Sequence, residues 1–299
     1  MKGYTIGQAA QMAGLSPIVI RAWENRYHAV VPKRSDSGQR RYDDADVERL
    51  HRLSRLVSCG HSIGSIVGLD SQHLEHLEQV SFGAPQEDTI QRLFEAIADY
   101  DASRMLDLFR MSLEKDGPEI FLDQVVAPLM DEVGRAWHEG RIRTMHEHLA
   151  SSSLHALLGW RLATSAPPAD APSLAVATLP AQEHNLGALG CALVMNQAGW
   201  RSVFIGSHIP PQEMVKAVSL TKAKYLLLSI VFPPKITVIR DYLRELEDWL
   251  PLHVNLLVGG SSAPRVFSDY TPQRAQLAPR TLGALREQLA LKSLAIESS

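Results

Sequence analysis

Apolar residues recur at three- and four-residue spacing through EDTIQRLFEAIADYD, ASRMLDLFRMSLEKDG, PEIFLDQVVAPLMDEVGRAWHEG and RTMHEHLASSSLHALLGWRLAT, four consecutive segments within residues 87–165. That period predicts four helices and hence a four-helix bundle. After SAPPADAPS the pattern changes. LAVATLP, RSVFIGS, YLLLSIVF and VNLLVGG are short apolar runs, separated by NLGALGCALVMNQAG, PPQEMVKAVSLTK and PPKITVIRDYLRELEDWL, each of helical length and period. Strands alternating with helices predict a doubly wound parallel sheet over 174–299. At the other end, Ile6, Ala9, Ala10, Ala13 and Leu15 mark a short helix broken by Gly14, and Ser16-Pro17 supplies the cap and first turn of a second. This is a helix-turn-helix pattern. On the second helix Ile18, Ala22 and Trp23 are expected to face inward, and Arg21 and Arg26 outward. VVPKRSDSGQRRYDDADVERLHRLSRLV then offers a turn at Ser37-Gly38, suited to a two-stranded wing, and a helix from Asp44. Residues 71–81, rich in Gln, His, Glu and Ser and closed by Gly83-Ala84-Pro85, predict a linker.

The resulting division is a DNA-binding domain at 1–72, a linker at 73–86, the bundle at 87–165, a second linker at 166–173 and the sheet domain at 174–299. A chain of 299 residues exceeds one ordinary core, which agrees with several domains. No apolar run approaches the roughly 18 to 20 residues that span a bilayer, and the first residues lack the apolar core of a signal peptide. A cytoplasmic protein with no membrane partner is expected. Cys59 and Cys191 lie far apart without a CxxC partner, so both are expected as small buried hydrophobes. The net charge of −3 is unevenly spread: residues 1–60 hold ten Lys or Arg against six Asp or Glu. Only that end is suited to meet nucleic acid.

Arg21, Arg26, Lys33, Arg34, Arg40 and Arg41 all fall on the second helix or the wing, where cations contact phosphates and groove edges. The order of motifs resembles the MerR family of winged-helix regulators. It stands here as Arg21-Ala22-Trp23-Glu24-Asn25-Arg26-Tyr27, Pro32-Lys33-Arg34, Gly38-Gln39-Arg40-Arg41-Tyr42 and Asp43-Asp44-Ala45-Asp46, with His28 where the family has Gly. The resemblance covers about the first 70 residues and implies binding to double-stranded operator DNA through Arg21, Arg26, Tyr27, Lys33, Arg34, Arg40, Arg41 and Tyr42. The symmetry of such operators implies self-association, as a dimer or tetramer.

Ligands of doubly wound sheets bind at the carboxyl ends of the strands, where Gln182-Glu183-His184, Ser207-His208, Ser229 and Gly259-Gly260 fall. This set resembles the flavodoxin-like, Rossmann-like cobalamin-binding domain of methionine synthase and base-off mutases, whose signatures are D-x-H-x-x-G, S-x-L and G-G. His184, Gly187, Ser229, Gly259 and Gly260 match. Gln182 stands for the acid, and Val231 for the Leu. The resemblance implies that His184 is the lower axial ligand of cobalt and that the small residues make room for the displaced nucleotide tail.

WHEGRIRTMHEH, residues 137–148, holds Trp137 followed after nine residues by Glu147-His148. That W-x9-E-H spacing is similar to the CarH/LitR-type photoreceptors, MerR-family repressors that use adenosylcobalamin as a light sensor, in the same domain order. The resemblance implies that Trp137 lies over the upper corrin face, that Glu147 and His148 contact the adenosyl group, and that His138 takes the upper cobalt site after photolysis. His146 has no counterpart and is expected to be solvated. A light-responsive repressor, not an enzyme, is the first implied function. A light-blind regulator that senses another corrinoid state or a protein partner is the alternative, permitted by Gln182. A corrinoid carrier for methyl transfer comes third, and the winged helix speaks against it.

Overall fold

The computed structural model describes residues 3–35, 38–58, 61–82, 86–165, 167–168, 170–180, 184–231, 236–279 and 281–297. Its contacts divide the chain into two units. One joins Met1–Ile90 with Asp123–Arg141, the other Gln91–Leu122 with Ile142–Ser299.

In the first unit, helix α1 (Ile6–Met12) starts in a capping box: the Thr5 hydroxyl accepts from Gln8 N–H and the Gln8 side chain accepts from Thr5 N–H at 2.9 Å. Helix α2 (Pro17–Tyr27) begins with Pro17 in its first turn and Ser16 Oγ accepting from Val19 N–H at 3.2 Å. Ile20, Trp23 and Glu24 are its buried residues, whereas Ile18 and Ala22 are exposed, contrary to the inward placing expected of them. The cap fixes the helical phase. Ile20 and Trp23, three residues apart, then meet the core, and Ile18, two residues from Ile20, points the other way. His28 closes α2 in the left-handed conformation (φ 52°, ψ 38°), the geometry for which helices more often use Gly.

The wing is a two-stranded antiparallel ribbon, β1 (Lys33–Arg34) and β2 (Arg40–Arg41), with Lys33 opposite Arg41 and Arg34 opposite Arg40. Helix α3 (Asp44–Ser58) and the short α4 (Ile63–Ile66) follow. Residues 71–82, expected as a linker, form helix α5 (Ser71–Phe82) instead. Asp70 caps it through His73 N–H at 2.9 Å, Leu74 and Leu77 pack into the core of the unit, and Glu78 lies 3.5 Å from Arg52. Two leucines three residues apart supply the apolar stripe, and the surrounding Gln, His and Glu disguise it. Gly83–Pro85 lie outside the described residues.

Helix α8 (Ala127–His138) shares this unit, and His51 of α3 meets Asp131 of α8 at 3.0 Å. Burial opposes protonation of His51, but the Asp131 carboxylate outweighs it and holds the imidazole above its ordinary pKa. Asp131 is held below the usual carboxylate value by His51, against its own burial. The raised histidine loses its contribution as pH rises through its folded pKa, and the lowered acid loses its own as pH falls through its folded pKa. The pair is therefore at full strength between about pH 4 and about pH 6.5. Melting of Asp131→Asn beside the unaltered protein should show the largest gap in that window and a smaller one once pH has risen through the raised pKa of His51; a gap that is flat with pH would assign the pair no ionic role.

In the second unit, the bundle helices include α7 (Ala102–Phe121), preceded in the chain by α6 (Glu87–Ala98), and α9 (Thr144–Thr164). Gly117 (φ 74°, ψ 167°) breaks α7, Pro118 restarts it, and a π-turn over Leu122–Val126 leads into α8. Helix α10 (Leu186–Gln197) packs against α7 and α9. A Cβ at Gly190 would stand 2.7 Å from Leu122 Cδ1, so only glycine permits this approach.

The sheet is five-stranded and parallel: β3 (Ser173–Thr178), β4 (Arg201–Gly206), β5 (Ala223–Ser229), β6 (Asn255–Gly259) and β7 (Gln276–Leu277), in the order β4-β3-β5-β6-β7. Helices α11 (Pro211–Thr221), α12 (Ile236–Trp249), α13 (Ala263–Asp269) and α14 (Leu282–Glu297) complete the doubly wound, flavodoxin-like fold. Every residue of β3 is buried, which explains its unbroken apolar run. Cys191 on α10 is buried as expected, its thiol pushed up to about 12 by burial; Cys59 lies outside the described residues. The two-residue β7 carries no apolar run and escaped the sequence pattern. It is anchored through the buried Glu247 of α12, whose carboxylate accepts from Arg274 N–H and Ala275 N–H at 2.7 Å each. Among the described residues no helix is long and apolar enough to cross a membrane.

Candidate functional site

In the first unit, α2 presents Arg21 and Arg26 to solvent, with the Arg26 guanidinium 5.6 Å from the centre of the half-buried Tyr27 ring. Lys33 and Arg34 are exposed on the wing, Lys33 beside Asp43 at 3.3 Å and Arg34 donating to Gly38 O at 3.2 Å. Arg41 is half-buried and donates to Gly3 O at 3.3 Å. Arg40 is half-buried too, and its Nε donates to Glu24 Oε2 at 2.8 Å. The Tyr42 hydroxyl donates to the other oxygen of the same carboxylate.

Tyr42 therefore departs from its expected role. Its ring is fully buried, and burial together with the Glu24 hydrogen bond and charge holds its ionisation far above the ordinary tyrosine value. It belongs to the core that fixes the wing on α2. Glu24, 7% exposed, is the joint between them, and sequence reasoning passed it over. The signal was present: an acid inside the helix and an R-x-Y on the wing are complementary partners once the wing folds back.

In the second unit, the carboxyl ends of the three central strands are in register, Thr178 beside Ser229 and Ser229 beside Gly259. The strand order reverses between β3 and β5, the crevice where such sheets bind ligands. Thr178 is fully buried and its Oγ1 has no hydrogen-bond partner among the described residues, while Ser229 is 6% exposed. A row of small residues with one unmatched hydroxyl suits a polar group laid along the edge. Beyond Ser229 the chain turns through Ile230 to the half-buried Val231, whose carbonyl accepts from the Ser261 and Ser262 hydroxyls. Gly260, at φ +92°, passes so close to this turn that a Cβ would stand 2.5 Å from Ile230 O.

His184 is exposed in the loop between β3 and α10. The adjoining Asn185 lies at the start of α10, where its side-chain amide meets Nε2 of His155 on α9; Nδ1 of His155 reaches Ser151 O at 2.8 Å. A bundle helix thus grips the residue next to the expected ligand. Gly187 is exposed in the first turn of α10 with open space where a Cβ would project. Gln182 lies outside the described residues.

Near the start of α9, His148 Nδ1 and Glu147 Oε2 are 2.7 Å apart and His148 is exposed. His146, expected to be solvated, is instead buried at 9% exposure. Its Nδ1 accepts from Arg143 N–H at 3.0 Å, and its ring packs edge-on against Tyr100. It caps the helix. In the first unit, Trp137 is 41% exposed at the end of α8 and stands edge-to-face with His138, centroids 4.8 Å apart. His138 Nδ1 is 2.8 Å from Gly134 O, a carbonyl that can only accept. Nδ1 therefore donates, and in the neutral imidazole Nε2 is the nitrogen left to act as a ligand atom.

Residues 4–72 match the model of the MerR HTH family regulatory proteins, and residues 89–161 that of the B12 binding domain. The HTH-type transcriptional repressor CarH of Myxococcus xanthus is 33% identical over 268 residues, 87% of this chain and 89% of that one. The chain belongs to the MerR-family repressors of CarH type that carry a cobalamin-binding domain. The repressor CarA of Myxococcus xanthus is 25% identical over 234 residues, 74% of each chain. The solved structure of the Methanosarcina barkeri monomethylamine corrinoid protein superposes with a TM-score of 0.53 at 17% identity, over 69% of this chain and 99% of that one, a likeness of fold. This MerR-family protein is accordingly a DNA-binding transcriptional repressor with cobalamin as its cofactor. The small-residue strand edge, the unmatched Thr178 hydroxyl and the exposed His184 fit that group.

Proposed function

We propose that the repressor senses light: it holds adenosylcobalamin in the dark, binds operator DNA as a dimer or tetramer, and leaves the operator on illumination. The observation that carries this reading is the tautomer of His138. An imidazole whose Nδ1 donates to Gly134 O offers Nε2 of its neutral form to a metal, and it stands edge-to-face with a half-exposed tryptophan suited to wall an adenosyl group. When bound, adenosylcobalamin supplies a weak cobalt–carbon bond that visible light breaks.

In this scheme His184 would supply a nitrogen ligand to the cobalt, Ser229, Val231, Gly259, Gly260 and Gly187 would leave room for the nucleotide tail, and Trp137, Glu147 and His148 would each contact the adenosyl group. His138 would offer Nε2 as a further nitrogen ligand to the cobalt. Loss of contacts to that group biases an equilibrium between two arrangements of the chain, and DNA affinity follows. The test pairs absorption spectra with operator gel shifts, before and after green light, on protein loaded with adenosylcobalamin. A changed spectrum with loss of the shifted band is expected. An unchanged spectrum and band would favour the light-blind regulator, for which Gln182 in place of the usual acid speaks.

A further inference from the structure

The outward face of α2 holds Ile18, Arg21, Ala22 and Asn25, at positions i, i+3, i+4 and i+7, all exposed. Ile18 is 65% exposed, in the second position of the helix, with its backbone fixed by the Ser16 cap and Pro17. A single exposed aliphatic residue needs no explanation. This one stands on a short stripe whose other members are an arginine, an asparagine and an alanine, and the wing cations Lys33 and Arg34 are exposed in the same unit. Those residue types make up the vocabulary of major-groove reading: Arg to guanine, Asn to adenine, and aliphatic groups to the thymine methyl. Moreover, the first residues of a recognition helix are the ones that meet base edges.

We infer that Ile18, with Ala22 one turn later, reads thymine C5-methyl groups in the operator. Burying a branched side chain against a methyl gains affinity only where a thymine lies beneath it, and a cytosine at that place offers a polar edge instead. Apolar contact thus sets sequence preference at positions that no hydrogen bond of Arg21 or Asn25 reaches. The helical phase that turned Ile18 and Ala22 away from the core is what makes them available to the groove.

The inference rests on DNA binding through α2, and the experiment keeps the two separable. Full-length protein carrying cobalamin is used in the dark to select sites from a random duplex pool, and in the selected site each dT is replaced singly by dU, which removes only the methyl. At one or two thymines per half-site the unaltered protein should lose about three- to tenfold in affinity. Ile18→Ala, an exposed change with no folding cost, should bind the dT site about as weakly as the unaltered protein binds the dU site, and should be indifferent to dU there. Arg21→Ala should keep the dU penalty and relax the preference at a different base pair. An unaltered protein insensitive to every dU, or an Ile18→Ala protein that keeps the whole penalty, overturns the inference while leaving DNA binding through α2 intact. A pool that yields no enriched site overturns both.

Discussion

Replacing His184 with alanine should yield a protein that folds as before and retains cobalamin at least tenfold less well after desalting. The side chain is exposed in a loop, so its removal leaves no cavity. The neighbouring Asn185 keeps its contact with His155, and the loop keeps its place on α9. What disappears is the nitrogen donor that the proposed reading assigns to the cobalt. Cobalt absorbance per chain after gel filtration measures retention, and melting of the cofactor-free protein checks the fold. Equal retention by the two proteins would remove His184 from the cobalt and return it to an ordinary surface loop. Loss of retention together with a lower melting temperature of the cofactor-free chain would mean instead that the loop, and not the ligand, had failed.

The parts of the fold that were legible in the sequence are those where one periodicity runs unbroken. The four helices between residues 87 and 164 and the four longer strands of the sheet each carry a run long enough to state its own period. Capping residues placed the helix-turn-helix: Ser16 before Pro17 was readable as a start and is one. What escaped depends on partners distant in sequence. Strand β7 exists because Glu247, nearly thirty residues earlier, gathers the amides of Arg274 and Ala275. The burial of Tyr42 follows from a carboxylate on α2, eighteen positions away, and a motif match alone could not tell a DNA contact from the residue that supports the contacts. His146 looked like one more member of a histidine-rich run, yet a ring nitrogen facing its own helix's first N–H groups made it a cap. At the proposed cofactor site the residue types and spacing can be read from the sequence, since small residues at strand ends and a histidine after the first strand are visible in a line of text, and their roles there stay with the proposal. The tautomer of His138 and the grip of α9 on Asn185 were not, because each needs a third group brought in by the fold.

Gly259, which ends β6, and Gly260, which follows it, separate what the backbone demands from what the proposed cofactor site demands. Gly260 has φ +92°, well away from the left-handed region that other residues tolerate, and a Cβ there would stand 2.5 Å from Ile230 O and 2.8 Å from Ile230 N. Neither atom can yield, since Ile230 N–H donates to Gly259 O and Ile230 O accepts from Ser262 N–H, the bonds that close the carboxyl edge. Gly260→Ala should therefore destabilise the cofactor-free protein by about 3 to 5 kcal/mol, combining backbone strain with overpacking. The melting transition of the second unit should fall by roughly 10 °C or more. Gly259 is different. A Cβ there would meet only the Ala278 methyl at 3.4 Å, so Gly259→Ala should shift the cofactor-free melting by no more than about 3 °C. Gly259 nevertheless lies in the row Thr178–Ser229–Gly259, and if the nucleotide tail runs along that row an added methyl intrudes on it. The expected result for Gly259→Ala is thus near-normal stability with clearly weakened cobalamin retention. Melting unchanged by Gly260→Ala would show that the turn at Ile230 can relax, and retention unchanged by Gly259→Ala would move the nucleotide tail away from this row.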